Sequence, residues 1–420
     1  MKTEQTDFLV IGAGLQGSTI ALELAMRGQH VTLVEQDAVA MNRASLRNEG
    51  KIHLGLIYAA DASGSSALLQ LKGALHFENL MRLWVGKCFD QVGISTPFAY
   101  LVAKDSLLDA TALADHYNWL GEACARMFLE DPALNYLAAR PATLATQLAP
   151  ASYADVFESA QFDASFNTAE RAIDADDLAT VVRDALNSNE RIRFLPGFKI
   201  DDIQETGDAL EASGLHHAAG TRLTLRAKYV VNAIWEQRMK LDAMLGLEHE
   251  PGWVHRLKYR AIVKLPDALR THPSATMVLG RYGDVVIRPN LTAFISWYPS
   301  GLRGWSHDPT PPDSWEIPST GRLPPDQVSS IGAELIDKIA QWYPPIASAS
   351  LLSVDAGAIF AYGKTDVDDK SSGLHDRTHI GVMRQGNYLS VDPGKLTTAP
   401  LFAIEAVDQL LGREHSPLHG

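Results

Sequence analysis

The chain has 420 residues, 46% of them hydrophobic and 21% charged, a globular composition that excludes disordered and fibrous classes. That length exceeds what one hydrophobic core usually serves, so two domains are expected. A net charge of -13, with no Lys or Arg run to reverse it locally, argues against nucleic acid as a partner.

The first predicted element is a short strand at 7–11 (DFLVI), followed by glycine-rich sequence and a helix over 18–27 that Gly28 closes. A second strand, 30–34 (HVTLV), ends at Glu35. Helices are expected at 66–84 and 109–129, with a strand at 98–103 between them. Further on, 176–186 reads as a helix, 191–195 as a strand and 229–233 (YVVNA) as a buried strand. From 254 to 298 apolar and polar residues alternate between Pro and Gly turns, the pattern of an antiparallel sheet. Six prolines between 308 and 326 predict an extended loop, and Asp326 is placed to cap a helix over 327–342 that Pro344 and Pro345 end.

Cys88 and Cys124 are too few for a disulfide framework and lack zinc spacing; both are expected as buried thiols in a reducing compartment, the cytoplasm. A strand starting near Asp7 leaves no room for a secretory signal. The apolar stretches 8–11 and 396–404 fall well short of the roughly 20 residues a membrane-spanning helix needs. Histidines such as His216 and His217 lack ligand spacing, so no metal is expected.

Gly12-Ala13-Gly14-Leu15-Gln16-Gly17 follows a strand and opens a helix, which makes a weak motif a strong one. Gly12 permits the tight turn, Gly14 lets backbone approach a pyrophosphate, and Gly17 lets helix and strand pack closely. The helix N-terminus adds unpaired N–H groups and a positive dipole end. Glu35, 23 positions after Gly12, can accept hydrogen bonds from ribose hydroxyls and disfavours a phosphorylated ribose. These features point to a dinucleotide and do not separate FAD from NAD.

Two distant segments bear on that choice. The run Arg47-Asn48-Glu49-Gly50-Lys51-Ile52-His53-Leu54-Gly55-Leu56-Ile57-Tyr58 resembles the glycine oxidase/D-amino-acid oxidase-like superfamily. Its form is most similar to the FAD-dependent glycerol-3-phosphate dehydrogenases and the L-2-hydroxyglutarate dehydrogenases, where the segment runs beneath the isoalloxazine ring. Gly394-Lys395-Leu396-Thr397-Thr398-Ala399-Pro400 resembles the same families' C-terminal flavin-contacting motif. Such a turn offers N–H groups and a cation where negative charge collects on a reduced flavin. The strand at 229–233 resembles the family's VVNAAG strand, with Ile234 and Trp235 where Ala-Gly is usual.

The resemblance implies an α/β fold in which a Rossmann-like FAD-binding domain (1–85, 151–240 and 346–420) is interleaved with a mixed or antiparallel-sheet substrate domain (86–150 and 241–345). It implies FAD as cofactor, held by Gly12, Gly14, Leu15, Gln16, Gly17, Glu35, Gln36, Arg43, Ser45, Arg47, Asn48, Gly50, Lys51, Ile52, Gly394, Lys395, Leu396 and Thr397. His53 is the expected base, since an imidazole titrates near neutrality; a structural histidine is the alternative. Arg384 resembles an arginine in the glycine oxidases' YRNG stretch and is expected to hold a substrate carboxylate or phosphate. The family's carboxylate-binding arginine after an Ala-Gly pair is missing, because Ala356-Gly357 is followed by Ala358. Arg288 or Arg260 is expected to share the task, with Trp297 and Tyr298 lining the substrate cavity.

The function implied is hydride removal from a carbon bearing a hydroxyl or amine in a small, anionic substrate, a hydroxy acid or polyol phosphate, with electrons passing to oxygen, a quinone or another acceptor. An amine, amino-acid or amino-sugar oxidase is the runner-up. An NAD-dependent dehydrogenase and a non-catalytic dinucleotide-binding protein are the readings from other classes.

Overall fold

Strand Lys2–Ile11 runs into the glycine turn, helix Leu15–Met26 packs back, and strand Val31–Val34 lies parallel beside the first, pairing Phe8 with Val31 and Ile11 with Val34. The computed structural model describes residues 2–217 and 220–412. Helix Leu15–Met26 is buried from Leu15 to Ala25, enclosed by helices Ser65–Val85 and Ala399–Leu411 as well as the sheet, so it has no solvent-facing polar stripe and its polar residues Gln16, Ser18, Thr19 and Glu23 are buried too.

The first sheet runs Gly381–Gln385, Tyr388–Asp392, Thr221–Asn232, Lys2–Ile11, Val31–Val34, Ile192–Leu195, parallel through its centre. A hairpin, Phe198–Thr206 and Ala209–His216, adds antiparallel to Thr221–Asn232. Among the described residues, the second sheet has nine strands and is antiparallel except where Ser274–Val278 meets Phe98–Ala103. Its longest pairing joins Trp253–Lys264 to Ser350–Tyr362. Helix Pro325–Ala340 covers one face, burying Ile331, Leu335 and Ile339 in a core separate from that of the first sheet.

Several expectations are corrected. Phe162–Thr168 and Ser350–Tyr362 are strands of the second sheet, so borders at 151 and 346 assign both segments to the wrong sheet. The first strand begins at Lys2 and the strand expected at 229–233 spans Thr221–Asn232, because the polar residues 2–6 pair with the alternating stretch 223–227. The proline-rich stretch contains helix Glu316–Ser319; Pro318 fits because the first helical N–H groups need no partner within the helix. Pro324, not Asp326, precedes helix Pro325–Ala340, and Asp326 lies in its first turn. Cys88 is exposed, whereas Cys124 is buried in helix Ala110–Glu130. No helix among the described residues is long and apolar enough to cross a membrane.

Candidate active site

A cleft enclosing about 1670 Å³, its open mouth included, starts at the glycine turn and runs between the two sheets. At the near end the backbone is tightly specified. Gly12 has φ +94°, and a Cβ on Gly17 would stand 1.8 Å from the Gly12 carbonyl oxygen, so helix and turn touch without side chains. The Ser45 hydroxyl accepts the Leu15 N–H at 2.8 Å, fixing the 43–48 segment against the helix start. Glu35 accepts the N–H groups of Ala13 (2.8 Å) and Asp37 (3.0 Å). Burial outweighs those bonds and pushes its carboxyl up to about 7. Arg43 reaches Asp37 at 2.8 Å and Glu316 at 2.7 Å, linking the loop after the second strand to the proline-rich segment.

Farther along, the two distant motifs meet. Thr397 Oγ1 accepts the His53 N–H at 2.9 Å and donates to the Lys51 carbonyl at 3.3 Å, so the C-terminal turn is stitched to strand Lys51–Ile52. Lys51 is buried, bonded to Thr276 (2.6 Å) and Asp284 (2.9 Å), with its ammonium 4.4 Å from the Phe98 ring centre. Burial opposes that charge, yet Asp284, Glu170 and Glu49 hold its pKa above the ordinary lysine value. His53, 2% exposed, edges the cleft with Glu49 beside it and Glu170 behind it.

The far wall is cationic: Lys258, Lys395 and Arg377 all line it. Arg377 is 8% exposed, its Nε has no partner, and Nη1 bonds only the neighbouring Asp376 carbonyl at 3.0 Å. Burial, with Arg256 adding to it and Tyr58 opposing, holds Arg377 below the ordinary arginine value. Burial likewise lowers Lys395, with Glu49 opposing it and Arg377, Lys51 and Arg256 adding to it. Arg260 also lines the cleft, but Asp355 neutralises it through bonds of 2.6 and 3.1 Å.

These residues fit a flavin dinucleotide. Both amide atoms of buried Gln16 and Nη1 of buried Arg47 lack hydrogen-bond partners while lining the cleft, polar groups left for a ligand to satisfy, whereas Arg47 Nε lies 3.5 Å from Asp355. The model of the DAO family, FAD dependent oxidoreductase, matches residues 7–363. The chain belongs to this family. No curated protein matches it. Among solved structures, it is similar to glycine oxidase from Geobacillus kaustophilus, at 16% identity and TM-score 0.70, covering 98% of this chain and 96% of that one. It is also similar to iminodiacetate oxidase from Chelativorans sp. BNC1, at 15% identity and TM-score 0.68 over 98% and 97%. A third is L-alpha-glycerophosphate oxidase from Mycoplasma pneumoniae with FAD bound, at 16% identity and TM-score 0.63 over 97% and 95%. The cofactor of this family is FAD, so the NAD-dependent and non-catalytic alternatives are set aside.

Within this DAO-family cleft stand Gly12, Gly14, Leu15, Gln16, Glu35, Gln36, Arg43, Ser45, Arg47, Asn48, Lys51, His53, Gly394, Lys395 and Leu396. Gly17, Gly50, Ile52 and Thr397 lie beneath it and hold those residues in place. Four expected substrate contacts do not reach it. Arg384 lies in strand Gly381–Gln385 with its guanidinium on the carbonyls of Gly386 and Gln409. Arg288 is buried against Asp174 (3.2 Å) and Asp176 (3.4 Å), at the start of helix Ala175–Ser188. Tyr298 stands behind Lys258, bonded to Asp366 and Arg256, and Trp297 packs against Tyr282 and Trp342 in the second core.

Glu49, Lys258, Arg377 and Trp235 were not singled out by the sequence as contacts. Glu49 lies inside the segment already quoted and Trp235 just after the strand that resembles VVNAAG; Lys258 and Arg377 sit in a strand and a polar loop with no motif. Trp235 stands where the family's strand carries glycine, and it keeps the left-handed backbone glycine would allow, at φ +55°. Its indole N–H donates to the Ala358 carbonyl at 3.1 Å, which holds this strained residue across to strand Ser350–Tyr362.

Proposed function

We propose that this FAD-dependent oxidoreductase takes a hydride from a carbon bearing a hydroxyl or amine in a small anionic substrate, of the hydroxy acid or polyol phosphate type. The observation that carries this reading is Arg377. It is buried at the cleft wall, without a carboxylate within ion-pairing distance among the described residues, and Lys395 beside it is equally unpaired. Two such cations make a site for a carboxylate or phosphate. That task moves from Arg384 and Arg288 to Arg377.

FAD, when bound, would supply the two-electron redox chemistry, with oxygen, a quinone or another acceptor taking the electrons onward. The chain's own part is to anchor the anion at Arg377 and Lys395, enclose the reacting carbon, and receive the proton in the region of Glu49 and His53. Glu49 also suits an ammonium group, which keeps an amine or amino-sugar substrate as the second reading.

Anaerobic bleaching of the flavin against hydroxy acids, polyol phosphates, amino acids and neutral polyols tests the reading. Anionic compounds should bleach it, and Arg377→Met should raise their KM by about tenfold or more, the loss of one charge-assisted hydrogen bond. Equal bleaching by neutral polyols, or an unchanged KM in the variant, would overturn it.

A further inference from the structure

The cleft gathers more ionisable groups around His53 than hydride removal alone requires. His53 Nε2 lies 3.6 Å from Glu49 Oε1, and Nδ1 lies 3.7 Å from Glu170 Oε1. Both distances exceed a hydrogen bond, and Nδ1 has no other partner. Glu170 is fully buried, bonded by the Leu54 N–H at 2.7 Å and by the Tyr100 hydroxyl. Glu49 keeps 24% of its side chain open and lines the cleft. An imidazole thus has a carboxylate on either side, one facing substrate and one sealed in the interior.

We propose that Glu49, His53 and Glu170 form a proton store: Glu49 takes the proton of the substrate's hydroxyl or amine, and His53 holds it between the two carboxylates while the flavin is reduced. The proposal rests on the reading of this cleft as the site of hydride removal. The C–H bond breaks, and the hydrogen leaves with both electrons as hydride to FAD. The O–H or N–H bond breaks toward a Glu49 oxygen, and the electron pair left behind closes the C=O or C=N bond. Glu49 then passes the proton to His53 Nε2 and returns to carboxylate as His53 becomes imidazolium. The substrate loses two electrons, FAD gains them, and the proton stays on the protein.

Both carboxylates hold the charge this needs. Enclosure works against Glu49, but His53, Lys395 and Lys258 keep it well below the usual carboxylate range. Burial works against Glu170, which His53, Lys51 and Tyr100 hold below that range too. The other groups facing this corner are the cations Lys51, Lys258, Lys395 and Arg377, the phenols of Tyr58 and Tyr100, and Asp284. The cations oppose an added proton. Electrons arriving on the flavin offset them, which ties uptake to reduction.

The test needs no substrate. FAD-loaded protein is reduced anaerobically by xanthine oxidase with an indicator dye, and the pH dependence of the flavin midpoint potential gives the protons taken up per two electrons. Wild type should take up two near neutral pH, one on the flavin and one on His53. His53→Asn and Glu170→Gln should lose the second, and Glu49→Gln should lose it at lower pH than wild type. Glu49→Gln lies on the cleft surface and keeps the test decisive if the buried Glu170→Gln fails to fold. A count of one in wild type, two in His53→Asn, or a Glu49→Gln profile like that of wild type overturns the store. A count that behaves as expected while no anionic compound bleaches the flavin would overturn the substrate reading instead.

Discussion

Gly17 has no room for a side chain, since any Cβ would collide with the Gly12 carbonyl oxygen. Gly17→Val should therefore force helix and turn apart, costing about 2 kcal/mol or more, as overpacked cores do. Flavin absorbance per mole of protein should collapse in that variant, and urea unfolding should show the stability loss. Glu35 carries a pH signature. Burial raises its carboxyl to about 7, so the folded protein holds this proton more tightly than the unfolded chain. The group costs nothing below the ordinary glutamate range and lowers stability progressively as pH rises through 7. In FAD-free protein, the melting temperature of Glu35→Gln relative to wild type should climb between about pH 5 and about pH 8; a constant difference would contradict the burial cost. Glu35 and the glycines were legible because their spacing is local. Arg377 was not, since only the fold brings its loop to the cleft.

Helices were legible from their apolar pattern, and the structure adds the caps. Asp109 accepts the Ala112 N–H at 2.8 Å and starts helix Ala110–Glu130, and Asp174 does the same for Ala175–Ser188 through Asp176. Asp109→Ala should cost about 1 kcal/mol in urea unfolding while leaving flavin content intact, because the capped end is remote from the cleft. Strand limits were less legible. The polar segment 2–6 becomes strand only because 223–227, far away in sequence, pairs with it, and it shows no apolar run of its own. Ser350–Tyr362 shows the same limit, since only its partner Trp253–Lys264 places it in the second sheet.

At the scale of the molecule, the two sheets are tied across the cleft mouth by Arg43, which bonds Asp37 on one side and Glu316 on the other. Glu316 is half exposed, so the tie is modest. Glu316→Gln should speed FAD release about two- to fivefold, read from the rise of free flavin fluorescence after dilution; an unchanged rate would show that the segment does not retain the cofactor. The sequence by itself determined the βαβ unit, the dinucleotide site and, through two segments more than three hundred residues apart, the flavin family. It did so because turn geometry and close backbone approach admit few residue types at fixed spacing. Tertiary structure alone decided which charges face the reacting space. Arg384 and Arg288 found partners elsewhere, while Arg377 and Lys395 were left unpaired at the cleft wall. A side chain's partners depend on which strands and loops the fold brings beside it, and no local pattern carries that information.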